Sequence, residues 1–114
     1  MPYAAKHRFA RIAPRKARLV MDLIRGRDVD EALTLLRFSK KRAAVMIDKV
    51  VRSAVANATE KEARTEGLFV SACWVDPGPV IKRFQPKDRG KAYPIMKRTS
   101  HLCVTLDERQ EPRA

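Results

Sequence analysis

The apolar positions change period several times along the chain, and each change predicts an element. Residues 3–12 carry no apolar stripe at helical spacing and read as an extended strand. From Pro14 the spacing becomes helical, with Ala17, Val20, Met21 and Ile24 on one face. Pro14 fits the first turn of that helix, where a missing N–H costs nothing, and Gly26 is placed to end it in a left-handed conformation. Val29, Ala32, Leu33 and Leu36 give a second helix, and Asp28-Val29-Asp30-Glu31 reads as its capping box. Ser39 is the expected cap of a third and longest helix, about 40–64, whose face is Ala43, Ile47, Val50, Ala54 and Ala58, widened by Met46 and Val51. Thr65-Glu66-Gly67 is a turn. Beyond it Leu68 to Val75 is apolar on both alternating sets, Leu68, Val70, Ala72 and Trp74 against Phe69, Cys73 and Val75. That pattern predicts a central strand covered on both faces, with Trp74 in the core. A returning strand carries Leu102, Val104 and Leu106 on one side, and residues 108–114 read as a flexible polar tail.

Between those last two strands lies a connection of another kind. Residues 77–98 hold seven cations, Lys82, Arg83, Lys87, Arg89, Lys91, Lys97 and Arg98, against the single acid Asp88. The stretch is too polar and too rich in Pro and Gly to pack into a core of its own. Two strands of roughly ten residues at about 3.3 Å each would project about 30 Å from the base. Phe84 and Tyr93 punctuate the cations, so the expectation is an arm that penetrates RNA.

Charge sharpens this. The chain of 114 residues is one domain with 25 Lys plus Arg against 13 Asp plus Glu, a net charge of +12. Such an excess points to a polyanionic partner. A membrane surface is the competing polyanion, but no apolar run approaches the roughly 20 residues needed to span a bilayer and no long helix pairs a basic face with Trp or Phe. The N-terminus has no apolar signal core, which predicts a cytoplasmic protein. Cys73 and Cys103 lack metal-site spacing and read as reduced, buried core thiols. There is no Gly-rich phosphate loop, and the acids sit mostly at helix ends, so neither an enzyme nor a cofactor or small-molecule substrate is expected.

The cations cluster in several places. No acid occurs before Asp22, whereas Lys6, Arg8, Arg11, Arg15, Lys16 and Arg18 do, with His7 beside them. Arg15, Arg18 and Arg25 share the face of the first helix opposite its apolar stripe. Lys40, Lys41 and Arg42 open the third helix and Glu60 and Glu62 close it, both against the helix macrodipole. A local rule broken without internal compensation marks function, and a phosphate is expected at Lys40–Arg42. His7 and His101 read as RNA contacts. A helix-turn-helix DNA-binding regulator using 14–37 is the alternative. It is disfavoured because Asp28, Asp30 and Glu31 would occupy the groove-entering end of its recognition helix, and because the cations are spread over the chain.

Several motifs in register resemble one family. They are Ala-Lys-His-Arg-Phe-Ala-Arg-Ile-Ala-Pro-Arg-Lys-Ala-Arg-Leu-Val from Ala5, Asp22-Leu23-Ile24-Arg25-Gly26-Arg27, and Ser53-Ala54-Val55-Ala56-Asn57-Ala58. Val75-Asp76-Pro77-Gly78-Pro79 and Lys97-Arg98-Thr99-Ser100-His101 complete the set. Together, over about 4–107, they resemble the bacterial large-subunit ribosomal protein L-twenty-two family. The resemblance implies an α+β fold, three helices packed on a small antiparallel sheet with a long extended β-hairpin arm. Residues 1–76 and 99–107 would form the body, 77–98 the protruding arm and 108–114 the tail. It also implies a structural constituent of the large ribosomal subunit that binds large-subunit ribosomal RNA early in assembly and neighbours other ribosomal proteins. The expected RNA-binding set is the clusters above together with Thr99 and Ser100. The arm would line the polypeptide exit tunnel against the nascent chain through Ile81, Lys82, Arg83, Arg89, Gly90 and Lys91, and changes near its start would alter macrolide sensitivity. Two departures from the family pattern stand out: Asp88 at the arm tip, and Ala13 where relatives often carry a Ser cap.

Overall fold

The computed structural model describes residues 3–61, 67–87 and 91–108, with segments 81–87 and 91–96 described by their backbone alone. Six elements follow in order: β1 (Tyr3–Ala10), α1 (Pro14–Ile24), α2 (Val29–Phe38), α3 (Arg42–Glu60), β2 (Leu68–Lys87) and β3 (Lys91–Glu108). The sheet is antiparallel in the order β1-β3-β2, and the helices form one layer on one of its faces. This is the expected α+β fold with its long β-hairpin. The hairpin is paired out to Lys87 opposite Lys91, and it stretches the molecule to 71 × 25 × 16 Å.

The core forms where the helical stripes meet the inward side of the sheet. Ala17, Val20, Met21 and Ile24 of α1 and Ala43, Ile47, Val50, Val51, Ala54 and Ala58 of α3 are all buried. They pack on Leu102, Val104 and Leu106 of β3, the strand paired on both edges. Each Val, Leu, Ile or Met among them contributes about 1.5–3 kcal/mol by leaving water, and each alanine methyl about 0.8 kcal/mol. The alanines let α3 approach its neighbours closely, which is why a helix this rich in small residues still buries a continuous face.

The central strand is therefore β3, and β2 lies at the edge. The sequence pattern of β2 misleads because of a β-bulge between Val70 and Ala72. One extra residue shifts the alternation by one, so Leu68 and Val70 point inward before it and Cys73 and Val75 after it. Both alternating sets then look apolar although only one face is covered. Trp74 falls on the open face, 42% exposed, and its Nε1 donates to Asp76 Oδ2 at 3.1 Å.

The outer edge of β2 is sealed by the body itself. Gly26, at φ 80°, donates to the Val70 carbonyl, and Val70 donates back to the Arg27 carbonyl. Arg25, just past the end of α1, and Arg18 within it donate to the carbonyls of Cys73 and Val75 at 2.9 and 3.0 Å. Exposed edges invite pairing with other chains, and these bonds occupy this one.

Helix starts depart from expectation in two places. The third helix begins at Arg42 with Lys41 as its N-cap residue, two residues later than expected; Ser39 Oγ accepts from the Lys41 N–H at 3.3 Å outside the helix. Only Arg42 of the three cations is thus in the first turn. The helix ends at Glu60, and the expected 62–64 portion lies outside the described residues, as does Glu62 itself. At α2 the capping box does not form, because Asp28 makes no side-chain cap bond although Asp30 and Glu31 stand in the first turn. Finally, Glu108 belongs to β3, where its Oε1 accepts the Tyr3 hydroxyl at 2.7 Å. Residues 109–114 of the expected tail, and the 65–66 part of the expected turn, lie outside the described residues.

Candidate nucleic-acid interface

One open cleft of about 820 Å³ gathers cations from four separate parts of the chain. Arg11 comes from the β1–α1 connection, Lys16 from the first turn of α1, Lys41 and Arg42 from the start of α3, and Lys97 and Arg98 from β3. Ile12, Ala13, Leu19 and Ala43 supply the apolar lining, with Leu19 54% exposed. Among the described residues no carboxylate lines the cleft. Two helix N-termini open into it, since Ala13 and Lys41 are the N-cap residues of α1 and α3. Neither has a side-chain cap bond, and neither helix has an acid in its first turn. Free N–H groups at a helix start carry partial positive charge, so they add to the cations. The Ala13 departure from the family pattern thus leaves α1 uncapped. By contrast α2, whose N-terminus is elsewhere, carries Asp30 and Glu31 in its first turn.

Other expected contacts fall elsewhere. Lys40 is exposed just ahead of the cleft, and Arg15 is exposed on α1 outside its lining. Lys6 and Arg8 are exposed on the open face of the sheet, while His7 pairs with Leu102 and is half-buried toward the helices. Arg18 and Arg25 hold β2, and Arg25 also meets Asp22 at 2.7 Å, which raises its pKa. Thr99 and Ser100 are buried, with their hydroxyls donating to the Pro79 and Ile12 carbonyls, so they brace the cleft and the hairpin root from within. His101 Nδ1 accepts the Phe9 N–H at 3.1 Å. Ile81, Lys82, Arg83, Lys87 and Lys91 lie on the paired strands of the hairpin, described by backbone, and Arg89, Gly90 and Asp88 lie outside the described residues.

Sequence reasoning found the cations but missed their apolar companions. Leu19 is off the buried stripe of α1, and that offset is the signal that an exposed apolar residue was being placed beside charge. Phe9, 58% exposed, was visible as an aromatic inside a basic run. Cys73 and Cys103 are free and buried, as expected, and burial pushes both thiols up. Among the described residues no group of His, Cys, Asp and Glu could hold a metal ion, and no helix is long and apolar enough to cross a membrane.

The family model for ribosomal protein L22p/L17e matches residues 5–107, which takes in all six elements but for Tyr3 and Ala4 at the start of β1 and Glu108 at the end of β3. The chain belongs to this family. Its similarity to individual members is high: it is 47% identical over 110 residues to the large ribosomal subunit protein uL22 of Bdellovibrio bacteriovorus, covering 96% of this chain and 100% of that one. It is 52% identical over 105 residues to the protein of the same name in two strains of Lactobacillus delbrueckii subsp. bulgaricus, covering 91% of this chain and 90% of theirs. Both alignments span almost the whole family member, so the cleft and the hairpin are parts of the shared chain and not additions to it.

Proposed function

We propose that the protein is a structural component of the large ribosomal subunit in the cytoplasm, anchored to large-subunit ribosomal RNA through the cleft and the hairpin arm. The observation that carries this reading is the convergence in the cleft. Six cations and two uncapped helix N-termini face one another with no carboxylate between them among the described residues. Like charges gathered this way repel, and RNA phosphates offset that cost while releasing their own counterions. Lys97 and Arg98, at the root of the arm, tie the cleft to the hairpin, which carries its cations on into the RNA. Lys87 stands directly opposite Lys91 near the tip, a like-charge pairing that anions also relieve.

The body holds the position and the arm extends from it. Membership of the family supports placing residues Ile81, Lys82, Arg83, Arg89, Gly90 and Lys91 along the polypeptide exit tunnel, beside the nascent chain. It likewise supports early binding during subunit assembly and contacts with neighbouring ribosomal proteins. The role is binding, with no catalytic step.

The test is the salt dependence of binding to large-subunit ribosomal RNA. Each phosphate neutralised contributes a slope of about −0.7 to −0.9 in log K against log salt. Replacing Lys41, Arg42 and Lys97 together by Gln should weaken binding and flatten the slope by about 2–3. An unchanged affinity and slope would remove the cleft from the interface.

A further inference from the structure

We infer that the uncovered face of the sheet is a stacking surface for unpaired RNA bases, built on Phe9 and Trp74; this rests on the RNA-binding reading above. The helices cover one face of the sheet, and among the described residues nothing covers the other. That face presents two large exposed aromatics, Phe9 on β1 and Trp74 on β2, and between them on β3 lie the half-buried His101 and the buried Cys103. The outer strands stand about 10 Å apart across β3.

Both rings are held in place, by different means. Phe9 occupies a bulge in which Arg8 and Phe9 oppose the single residue His101. Its φ is 58°, a left-handed conformation that non-glycine residues rarely adopt. The strain is retained by a hydrogen bond and a ring contact to one side chain. The Phe9 N–H donates to His101 Nδ1, and the two rings meet edge to face with centroids 5.0 Å apart. A glycine would fit this bulge without strain. The phenyl ring is therefore kept exposed at a cost, which is where function is sought. Trp74 is held by its Nε1 bond to Asp76, which ties that carboxylate to the indole, and the side chain remains 42% exposed.

The charge around the rings selects the ligand. Lys6 and Arg8 are exposed on the same face, and Lys6 stands opposite Cys103, the residue that Trp74 also faces. Arg11, two residues beyond Phe9, already lines the basic cleft. Flat apolar rings bordered by cations and continuous with a phosphate-binding cleft suit a nucleobase whose backbone runs along the charges. A base paired in a duplex could not present its face to them.

Trp74 is the one tryptophan in the chain, so its emission reports the site directly. A single-stranded oligoadenylate and an RNA duplex of equal length are titrated in turn into the full chain. The single strand is expected to quench Trp74 and the duplex to leave it unchanged. Phe9→Gly should lower single-strand affinity about 5- to 150-fold, with the salt slope and thermal midpoint little altered, because glycine relieves the left-handed backbone. Single-strand binding that leaves Trp74 emission unmoved, or Phe9→Gly binding like the parent, overturns the stacking surface and leaves the cleft reading intact. A parent chain with no salt-dependent RNA binding sinks both. In assembled subunits, photoreactive benzoylphenylalanine in place of Phe9 should crosslink to a nucleotide; crosslinks to protein alone would assign the face to a protein neighbour and overturn the inference.

Discussion

Gly78 at the root of the hairpin has no room for a side chain, and the cost of adding one can be worked out. A Cβ at this position would lie 2.5 Å from Thr99 Oγ1 and 3.4 Å from the ring of His101. The backbone there is not left-handed, so the penalty of Gly78→Ala is steric alone. Thr99 cannot simply swing aside. It is buried, β-branched, and its hydroxyl donates to the Pro79 carbonyl within the bulge where Gly78 and Pro79 oppose it. Turning the hydroxyl away breaks that bond and leaves a poorly solvated acceptor, a cost of about 1–3 kcal/mol. Against this, alanine restricts the unfolded chain and recovers about 0.4–1 kcal/mol. The net loss is about 1–2 kcal/mol. For 114 residues at about 2.1 cal/mol/K each, that lowers the melting midpoint by about 4–8 °C. Thermal unfolding followed by circular dichroism measures it. The decisive experiment is the double-mutant cycle with Thr99→Ala, which removes the clashing oxygen. In that background Gly78→Ala should be neutral to slightly stabilising, giving a coupling of about 1–3 kcal/mol. An equal loss in both backgrounds would refute the steric argument and require another reason for glycine.

Ser100→Ala should cost about 1–3 kcal/mol in urea, with the midpoint lowered and the slope unchanged, because the buried Ile12 carbonyl loses the hydroxyl that donates to it at 2.6 Å. Burial raises the pKa of Cys73 and Cys103, so the folded state keeps those protons where the unfolded state releases them. Their contribution to stability is complete below the unfolded thiol value, about 8.5, and is lost as pH rises above it. Tyr3, whose hydroxyl is held as a donor chiefly by Glu108, adds a loss of the same sign nearer pH 10. A Cys73→Ala, Cys103→Ala double variant should therefore show a flatter decline in midpoint between about pH 8.5 and 10, and in the parent both thiols should resist alkylation at neutral pH until denaturant is added. A steep decline retained in the double variant would show that the thiols do not set it.

Much of the body was legible from local signals. The α1 stripe, Pro14 at its start and Gly26 just past its end coincide with the observed helix and its left-handed residue. The inward set Leu102, Val104 and Leu106 needed only a period of two, since no bulge interrupts β3 there. What local pattern could not carry was anything decided between elements. The place of β2 at the edge follows from which strand pairs with β1, and the bulge after Val70 disguised its single covered face. Trp74 was assigned to the core for that reason. The cations were all visible, but their meeting in one cleft depends on the first connection, the start of α3 and the end of the hairpin arriving at the same place. Arg18 and Arg25 look like RNA ligands in sequence because a guanidinium bound to a backbone carbonyl leaves no sequence mark. Phe9 adopts a conformation that sequence signals reserve for Gly, Asn or Asp.

The pairing of β1 with β3 also fixes a timetable. Tyr3 is matched to Leu106, so the first strand waits for almost the last residues of the body before it has a partner. During synthesis the helices can form and cluster early, while the sheet stays open until the whole hairpin has been translated and β3 has arrived to bridge the two outer strands. The basic arm is thus made before the base that carries it can close. For as long as that lasts, the cleft, which needs Lys97 and Arg98 from the returning strand, does not exist. A nascent chain of this protein is a polycation without its docking site until the returning strand has been made.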